Sequence, residues 1–501
     1  MQSLTKFKSN IVFNFLGGAW LGFLTLAVTP IQVHFLGVEA FGFLGLITIL
    51  QVLLGTLDLG ISATVTKVVS SDQSDRRSDS ANAVNTASSV YWIIALLIAA
   101  LLWWNSTKVA AFWLSRTSLD PATVTLGIQI IAVYLGLRWP VAFYTGVISG
   151  LQRMDVLNMI KAGVQTLRLV GGAVVLFFVP DLVAFLMWFA FSSALELLVY
   201  ATFTYRLLPT LRLWPYFSLA SFKGIWKYSA TMNIIALTAL VLSQADRLAV
   251  TKFLSLEALG YYSIAYNASI AISLIQSAIN SASFPAFSHS FSTGQHTELL
   301  SRYSKASQLM GFVLMLPCFA LVFFGYEILQ IWINESVADA AALTMAWLAL
   351  GFFFNAMVSN SYMLAVACGQ PGLPLKINLL ALVLYLPALH WLVHQYGISG
   401  AAAAYAGLNA YYLFTLLPIV QASVLQQGVW VWLRANLLPF ILAGVGTLGS
   451  AKILAMALQP GWQTLASLVL GVLLYVAAAW FFLSDALRAD LFNLIKRVTN
   501  R

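Results

Sequence analysis

Fourteen stretches of mostly apolar residues, separated by short polar turns, run the length of this chain. They fall at 10–34, 40–69, 82–104, 122–149, 157–179, 182–206, 229–252, 258–288, 303–326, 337–367, 374–395, 398–425, 434–457 and 461–483. A bilayer core takes about 20 apolar residues per helix. Hydrocarbon leaves the backbone no external partner, so each stretch is predicted to be a transmembrane helix. Charged residues make up only 9% of the chain, against roughly 25% in soluble domains. That excludes a water-soluble enzyme, a fibre, a disordered chain and a nucleic-acid binder. The opening "MQSLTKFKSNIVFNFLGGAW" carries no small-residue cleavage site after its apolar run, so it is read as the first helix and not as a secretory leader.

Charge orients the helices. With the N-terminus inside, 19 of the 26 Lys and Arg fall at cytoplasmic ends, including Lys6, Lys67, Arg153, Arg206, Arg302 and Arg434. Four fall outside (Lys108, Arg116, Lys252, Lys452) and three inside the membrane (Arg138, Arg168, Arg247). This is the positive-inside bias, and it accounts for most of the formal charge of +9. It places both termini in the cytoplasm.

The chain also repeats itself. "FLGVEAFGF" at 35–43 returns as "FLSLEALGY" at 253–261, an offset of 218. Both copies stand at an outer-face turn, leading into the second and the eighth span. Gly37 and Ser255 are expected as N-caps, with Glu39 and Glu257 favouring the positive end of each helix dipole. The second span carries a polar line at Gln51, Gly55, Asp58 and Ser62. Its mates 218 residues on are Ser269, Ser273, Gln276 and Asn280, polar at every position. Thr25 and Thr29 on the first span correspond to Ser243 and Arg247 on the seventh. Such lines are expected to face protein or water rather than lipid, either as small-residue helix packing or as the wall of a hydrated cavity. Six helices per copy is an even number, so the two copies enter the membrane in the same direction. The expected architecture is an all-α polytopic membrane protein with two parallel six-helix repeats around a central cavity. The lobes would be 1–215 and 222–428, with an extra helix pair and tail at 429–501.

Three segments, "FGFLGLITILQVLLGTLDLGISATVTK", "SGLQRMD" and "LSQADRLAVTKFLSLEALGYYSIAYN", resemble the Wzx-type polysaccharide flippases. Those share the MOP superfamily with MATE exporters and lipid II flippases. The resemblance covers nearly the whole chain and implies that helices 1, 2, 7 and 8 line a V-shaped cavity. It implies movement of an undecaprenyl-diphosphate-linked oligosaccharide from the inner to the outer leaflet of the bacterial cytoplasmic membrane, for O-antigen, capsule or exopolysaccharide synthesis. A polysaccharide polymerase and other assembly proteins would be partners, and no cofactor is implied. Lipid II flippases carry essential arginines in the first helix. This chain has no charge there between Lys8 and Glu39. Arg247 would have to take that role.

A diphosphate and a glycan need cations and hydrogen-bonding partners on the way across, and arginine's planar fork suits diphosphate oxygens. Arg247 is the first candidate for the diphosphate, with Asp58, Gln51, Ser62, Gln276, Asn280, Thr25 and Thr29 along the cavity. Asp246, beside Arg247, either neutralises it or carries a coupling ion; Asp58 is the other coupling candidate. Arg138 and Arg168, with Glu196 at similar depth, are expected to form an ion-pair cluster holding the N-terminal lobe, with substrate contact as the alternative.

Other features carry no chemistry. His390 and His394 lack a third metal ligand, and Cys318 and Cys368 sit in apolar runs as small core residues. Pro30 and Pro285 are expected points of flexure. Two other functions would leave different marks. A MATE-like exporter of cations would favour an acidic cavity. A membrane polymerase or ligase would need a catalytic outer loop, and the longest outer segment, around 105–121, has no histidine and one aspartate.

Overall fold

The computed structural model describes residues 2–56, 61–70, 77–113, 117–212, 215–219, 238, 240–370, 372–458 and 462–499. At 2–16, 56, 77–80, 113, 494, 495 and 497–499 it describes the backbone alone. Among the described residues every regular element is a helix. Among the described residues ten helices are long and apolar enough to cross a membrane, or eleven if one bent pair counts as a single span. The expected fourteen is reached only by counting two of these helices twice and adding 229–252, which is described in part.

The two long helices show why. Helix α1 (Gln2–Thr56) has 55 residues and α13 (Gly372–Ser423) has 52. At about 1.5 Å per residue each is far longer than a hydrocarbon core of roughly 30 Å. Each is broken by a glycine outside helical geometry, Gly37 at φ 80° and Gly397 at φ 59°. Both conformations are ones that side-chain-bearing residues rarely adopt. Both breaks lie in turns between expected spans.

By their contacts the residues divide into two compact units, Met1–Ser263 and Ile264–Arg501. The first holds α1, α2 (Ile61–Ser70), α3 (Arg77–Trp104), α4 (Ser106–Trp113), α5 (Pro121–Gly150), α6 (Met154–Phe178), α7 (Leu182–Leu207) and α8 (240–253). Its starts are well specified. Asp120 accepts from the Thr123 N–H at 3.1 Å with Pro121 at the first helical position, and Asp181 accepts from the Ala184 N–H at 2.9 Å. Its core gathers Tyr91, Phe143, Tyr144 and Val147 from α3 and α5. Leu96, Leu97 and Leu101 on α3 are exposed, the apolar face a lipid-facing helix must present.

The second unit is built on α11 (His296–Trp332), α12 (Glu335–Ala367) and α13. Helix α9 (Leu256–Ser269), which the division at 263/264 cuts, meets α10 (Ala271–Ser292) at a bend of 40°. Against α11 pack α14 (Val429–Asn436), α15 (Leu438–Gly444), a π-helical turn at Val445–Gly449, α16 (Ser450–Ala457) and α17 (Trp462–Phe482). Tyr475 donates to the Phe312 carbonyl at 2.9 Å, and Lys452 on α16 pairs with Glu327 on α11. Helix α18 (Asp485–Thr499) ends the chain, held to α11 by Lys305 and Asp490 at 2.7 Å.

Candidate functional site

The two copies of the repeated stretch lie against one another. A Cβ on Gly42 would run into the Leu256 carbonyl oxygen, and a Cβ on Gly260 into the Val38 carbonyl oxygen. Gly42 and Gly260 are 218 apart, as are Val38 and Leu256. A Cβ on Gly45 would likewise run into the Ser263 hydroxyl. Only glycine lets two backbones approach so far, with Cα–H groups against carbonyls as in small-residue helix crossings. Beside this crossing Ser255 caps α9, its hydroxyl accepting from the Ala258 N–H at 3.1 Å. Glu39 does more than favour a dipole. Its Oε1 accepts from the Thr117 hydroxyl and the Ser118 N–H, both at 2.7 Å, and its Oε2 from the Ser118 hydroxyl. It fastens the loop before α5 to the turn at Gly37. Sequence order gave no sign of that clamp, because its partners lie 78 and 79 residues away.

Arg138, Arg168 and Glu196, which the sequence grouped by depth, are brought together by α5, α6 and α7. Arg168 is fully enclosed. Its Nη2 reaches Glu196 Oε2 at 2.6 Å and the Ser193 hydroxyl at 3.1 Å, its Nε the Ser192 hydroxyl at 2.9 Å, and its Nη1 Gln165 at 3.3 Å. Arg138 Nη1 stands 3.6 Å from the same Glu196 oxygen, with 27% of its side chain exposed against 4% for Glu196. It also donates to the Tyr134 hydroxyl at 3.3 Å, which in turn accepts from Gln51. The Arg168 guanidinium lies 5.7 Å from the centre of the Tyr134 ring. A continuous polar path thus runs from Gln51 through Tyr134 and Arg138 to Glu196 and Arg168. Two guanidiniums share one carboxylate, so the cluster as described is net positive, and Arg138 is its accessible end. Sequence reasoning missed Tyr134: a tyrosine in an apolar run gives no sign that its hydroxyl joins Gln51 to an arginine.

Arg247 and Asp246 on α8 are both buried, at 2% and 1% exposure. Asp246 Oδ2 accepts from the Tyr262 hydroxyl, a partner outside the sequence expectation. Thr25 and Thr29 donate to the carbonyls four residues back, each at 2.8 Å, the usual recourse of a threonine inside a helix. Ser62 packs its backbone against Gly146 on α5. Asp58 lies outside the described residues.

In the second unit the polar line becomes interhelical bonding. Gln276 on α10 donates to Asn355 on α12 at 3.1 Å, and Asn355 to Asn409 on α13 at 2.8 Å. Asn280 accepts from the Ser359 hydroxyl at 3.2 Å. Gln276 and Asn280 are both largely buried, and these bonds hold α10 to α12. Among the described residues no group of His, Cys, Asp and Glu is arranged to hold a metal.

Comparison with solved structures places the fold. It superposes on the lipid II flippase MurJ in an inward closed conformation with a TM-score of 0.78, at 12% identity over 94% of this chain and 98% of that one. An inward-facing multidrug-resistance MATE transporter of the MOP superfamily gives 0.67, at 12% identity over 81% and 95%. The architecture is therefore the all-helical, multi-span one of these membrane transporters. Among sequence relatives, a Shigella flexneri protein described as a candidate O-antigen transporter is 22% identical over 85% of this chain and 97% of its own length. The uncharacterised Bacillus subtilis membrane protein EpsK is 25% identical over 68% and 67%. A family profile described as polysaccharide biosynthesis protein matches residues 7–291, more than half of the 501. The chain belongs to that polysaccharide biosynthesis protein family.

Proposed function

We propose that this protein is a flippase, not an enzyme, and that it carries an undecaprenyl-diphosphate-linked glycan from the cytoplasmic to the outer leaflet of a bacterial inner membrane. The observation that carries the reading is the net-positive Arg138–Glu196–Arg168 cluster, set among the apolar helices α5, α6 and α7. A fixed cation at membrane depth is costly unless it serves a partner, and a diphosphate is the partner that arginine's fork matches. Glu196 and the α7 serines hold Arg168 rigid, and Arg138 offers its exposed guanidinium beside it. The same positive charge disfavours a cationic-drug cargo. The candidate O-antigen transporter among the relatives and the flippase fold support the same direction.

The remaining assignments belong to this proposal. They are fourteen crossings with both termini in the cytoplasm, lobes 1–215 and 222–428 with a helix pair and tail at 429–501, and alternating access through a central cavity lined by Arg247, Thr25, Thr29, Gln51, Ser62, Gln276 and Asn280. Asp246, and Asp58 if it carries a proton or sodium ion, would couple the cycle. A polysaccharide polymerase would receive the product. The crossing of Gly42 and Gly260 would part and re-form in each cycle.

The test is translocation in proteoliposomes. A fluorescent polyprenyl-diphosphate oligosaccharide is followed by outer-leaflet quenching, with and without a proton or sodium gradient. Protein-dependent flipping supports the proposal and names the coupling ion. Movement of a cationic dye in place of the glycolipid overturns it in favour of an exporter.

A further inference from the structure

The chain that follows α7 forms no helix at 208–212 and 215–218, so its backbone N–H groups need acceptors from elsewhere. Three of them find one on a single face of α3. Asn85 Oδ1 accepts from the Arg212 N–H at 2.7 Å, Ser89 Oγ from the Tyr216 N–H at 2.8 Å, and Thr86 Oγ1 from the Ser218 N–H at 3.2 Å. Residues 85, 86 and 89 are neighbours on a helix surface, and all three are buried. Thr86 and Ser89 donate their own protons inside α3, to the Asn82 and Asn85 carbonyls, which leaves their lone pairs for the incoming amides. Asn85 also donates to the Thr210 carbonyl at 3.3 Å, and next to it Leu211 is buried in the core of this unit.

The second unit repeats the arrangement with different side chains. On α11, Ser304 donates to Asn436 Oδ1 at 3.0 Å, Lys305 pairs with Asp490 at 2.7 Å, and Gln308 Oε1 accepts from the Ser484 N–H at 3.1 Å. Asn436, Ser484 and Asp490 all belong to the chain that follows α13. Residues 304, 305 and 308 stand 219 after 85, 86 and 89, one more than the offset of the repeated stretch. Both triplets enclose the same Ala-Ser pair, at 87–88 and 306–307. The residue types differ between the copies, while the positions and the task coincide.

We propose that these two faces are latches, each holding the chain that leaves its own lobe. In the proposed arrangement 208–219 begins the connection between the lobes, and 429–501 is the helix pair and tail after the second. The latch on α3 makes the start of that connection part of the first lobe, which carries it along as access alternates. This role in transport rests on the flippase reading; the hold on the two segments does not.

Hydrogen exchange on the full chain in detergent tests the hold. In Asn85→Ala/Ser89→Ala, exchange in peptides covering 208–219 should rise at least tenfold, with exchange across α5 unchanged. Tyr216→Pro removes the N–H that Ser89 accepts without touching α3, so it keeps the test open if the double substitution fails to fold. It should raise exchange at 212 and 218 at least threefold. Gln308→Ala should raise exchange at Ser484 at least tenfold. Exchange that stays at the level of the unsubstituted protein at either site overturns the inference. The proteoliposome assay separates the two ideas. A released connection with glycolipid movement at least fivefold slower supports the role in transport, and full-rate movement sinks that role while sparing the flippase. No movement by the unsubstituted protein sinks the flippase and leaves exchange to decide the latches.

Discussion

Gly42 on α1 and Gly260 on α9 face each other, each leaving no room for a Cβ before a carbonyl of the other helix. The relation is reciprocal: Leu256 opposes Gly42 as Val38 opposes Gly260, and the offset is 218 both from Gly42 to Gly260 and from Val38 to Leu256. It makes the repeated stretch a packing device between α1 and α9.

Substitution at that crossing should cost stability. Gly42→Val or Gly260→Val forces backbone apart where no flexible side chain can yield, a penalty of about 1–3 kcal/mol or more. Each should lower the thermal midpoint in detergent, and the double substitution should cost less than the sum because the first has already separated the helices. An additive double, or two unchanged midpoints, would refute the close approach.

Removing Arg168 should act through folding. It leaves Glu196 with the more distant Arg138 alone, and breaking a buried pair costs about 3–5 kcal/mol. Arg168→Ala should reduce the folded fraction measured by fluorescence-detected size exclusion. A stable but inactive variant would move Arg168 into the binding site.

Arg138→Ala should do the opposite. Its guanidinium is partly exposed, and Glu196 keeps its shorter partner in Arg168. Folded yield should hold while glycolipid flipping falls at least tenfold. Unimpaired flipping would exclude it from phosphate contact.

Arg247→Ala should abolish flipping at normal protein level if the cavity assignment holds. Its burial in this structure adds a second readout. A collapse in folded yield would make it a structural partner in its own lobe.

Glu39→Ala should free the loop before α5, because three hydrogen bonds from Thr117 and Ser118 are lost at once. Hydrogen exchange at 117–120 should rise at least tenfold, with Glu39→Gln intermediate since its amide oxygen still accepts. Unchanged exchange would mean that the loop is held by other contacts.

Hydrophobic run length and the scarcity of charge determined that this chain spans a bilayer as helices, since the cost of exposing backbone or charge to hydrocarbon leaves few alternatives. The 218-residue offset put Gly42 and Gly260 at matching positions without showing that they cross, whereas equal depth in neighbouring spans marked Arg138, Arg168 and Glu196. What the tertiary structure decided was which way each side chain turned. It made Gln276 and Asn280 partners of Asn355 and Ser359, joined Gln51 to Arg138 through Tyr134, and drew Glu39 across to Thr117 and Ser118. Helical periodicity fixes the face a residue occupies, but the partner it meets depends on helix rotation and on packing between segments tens of residues apart. Those are properties of the assembled bundle that no single stretch of the sequence encodes.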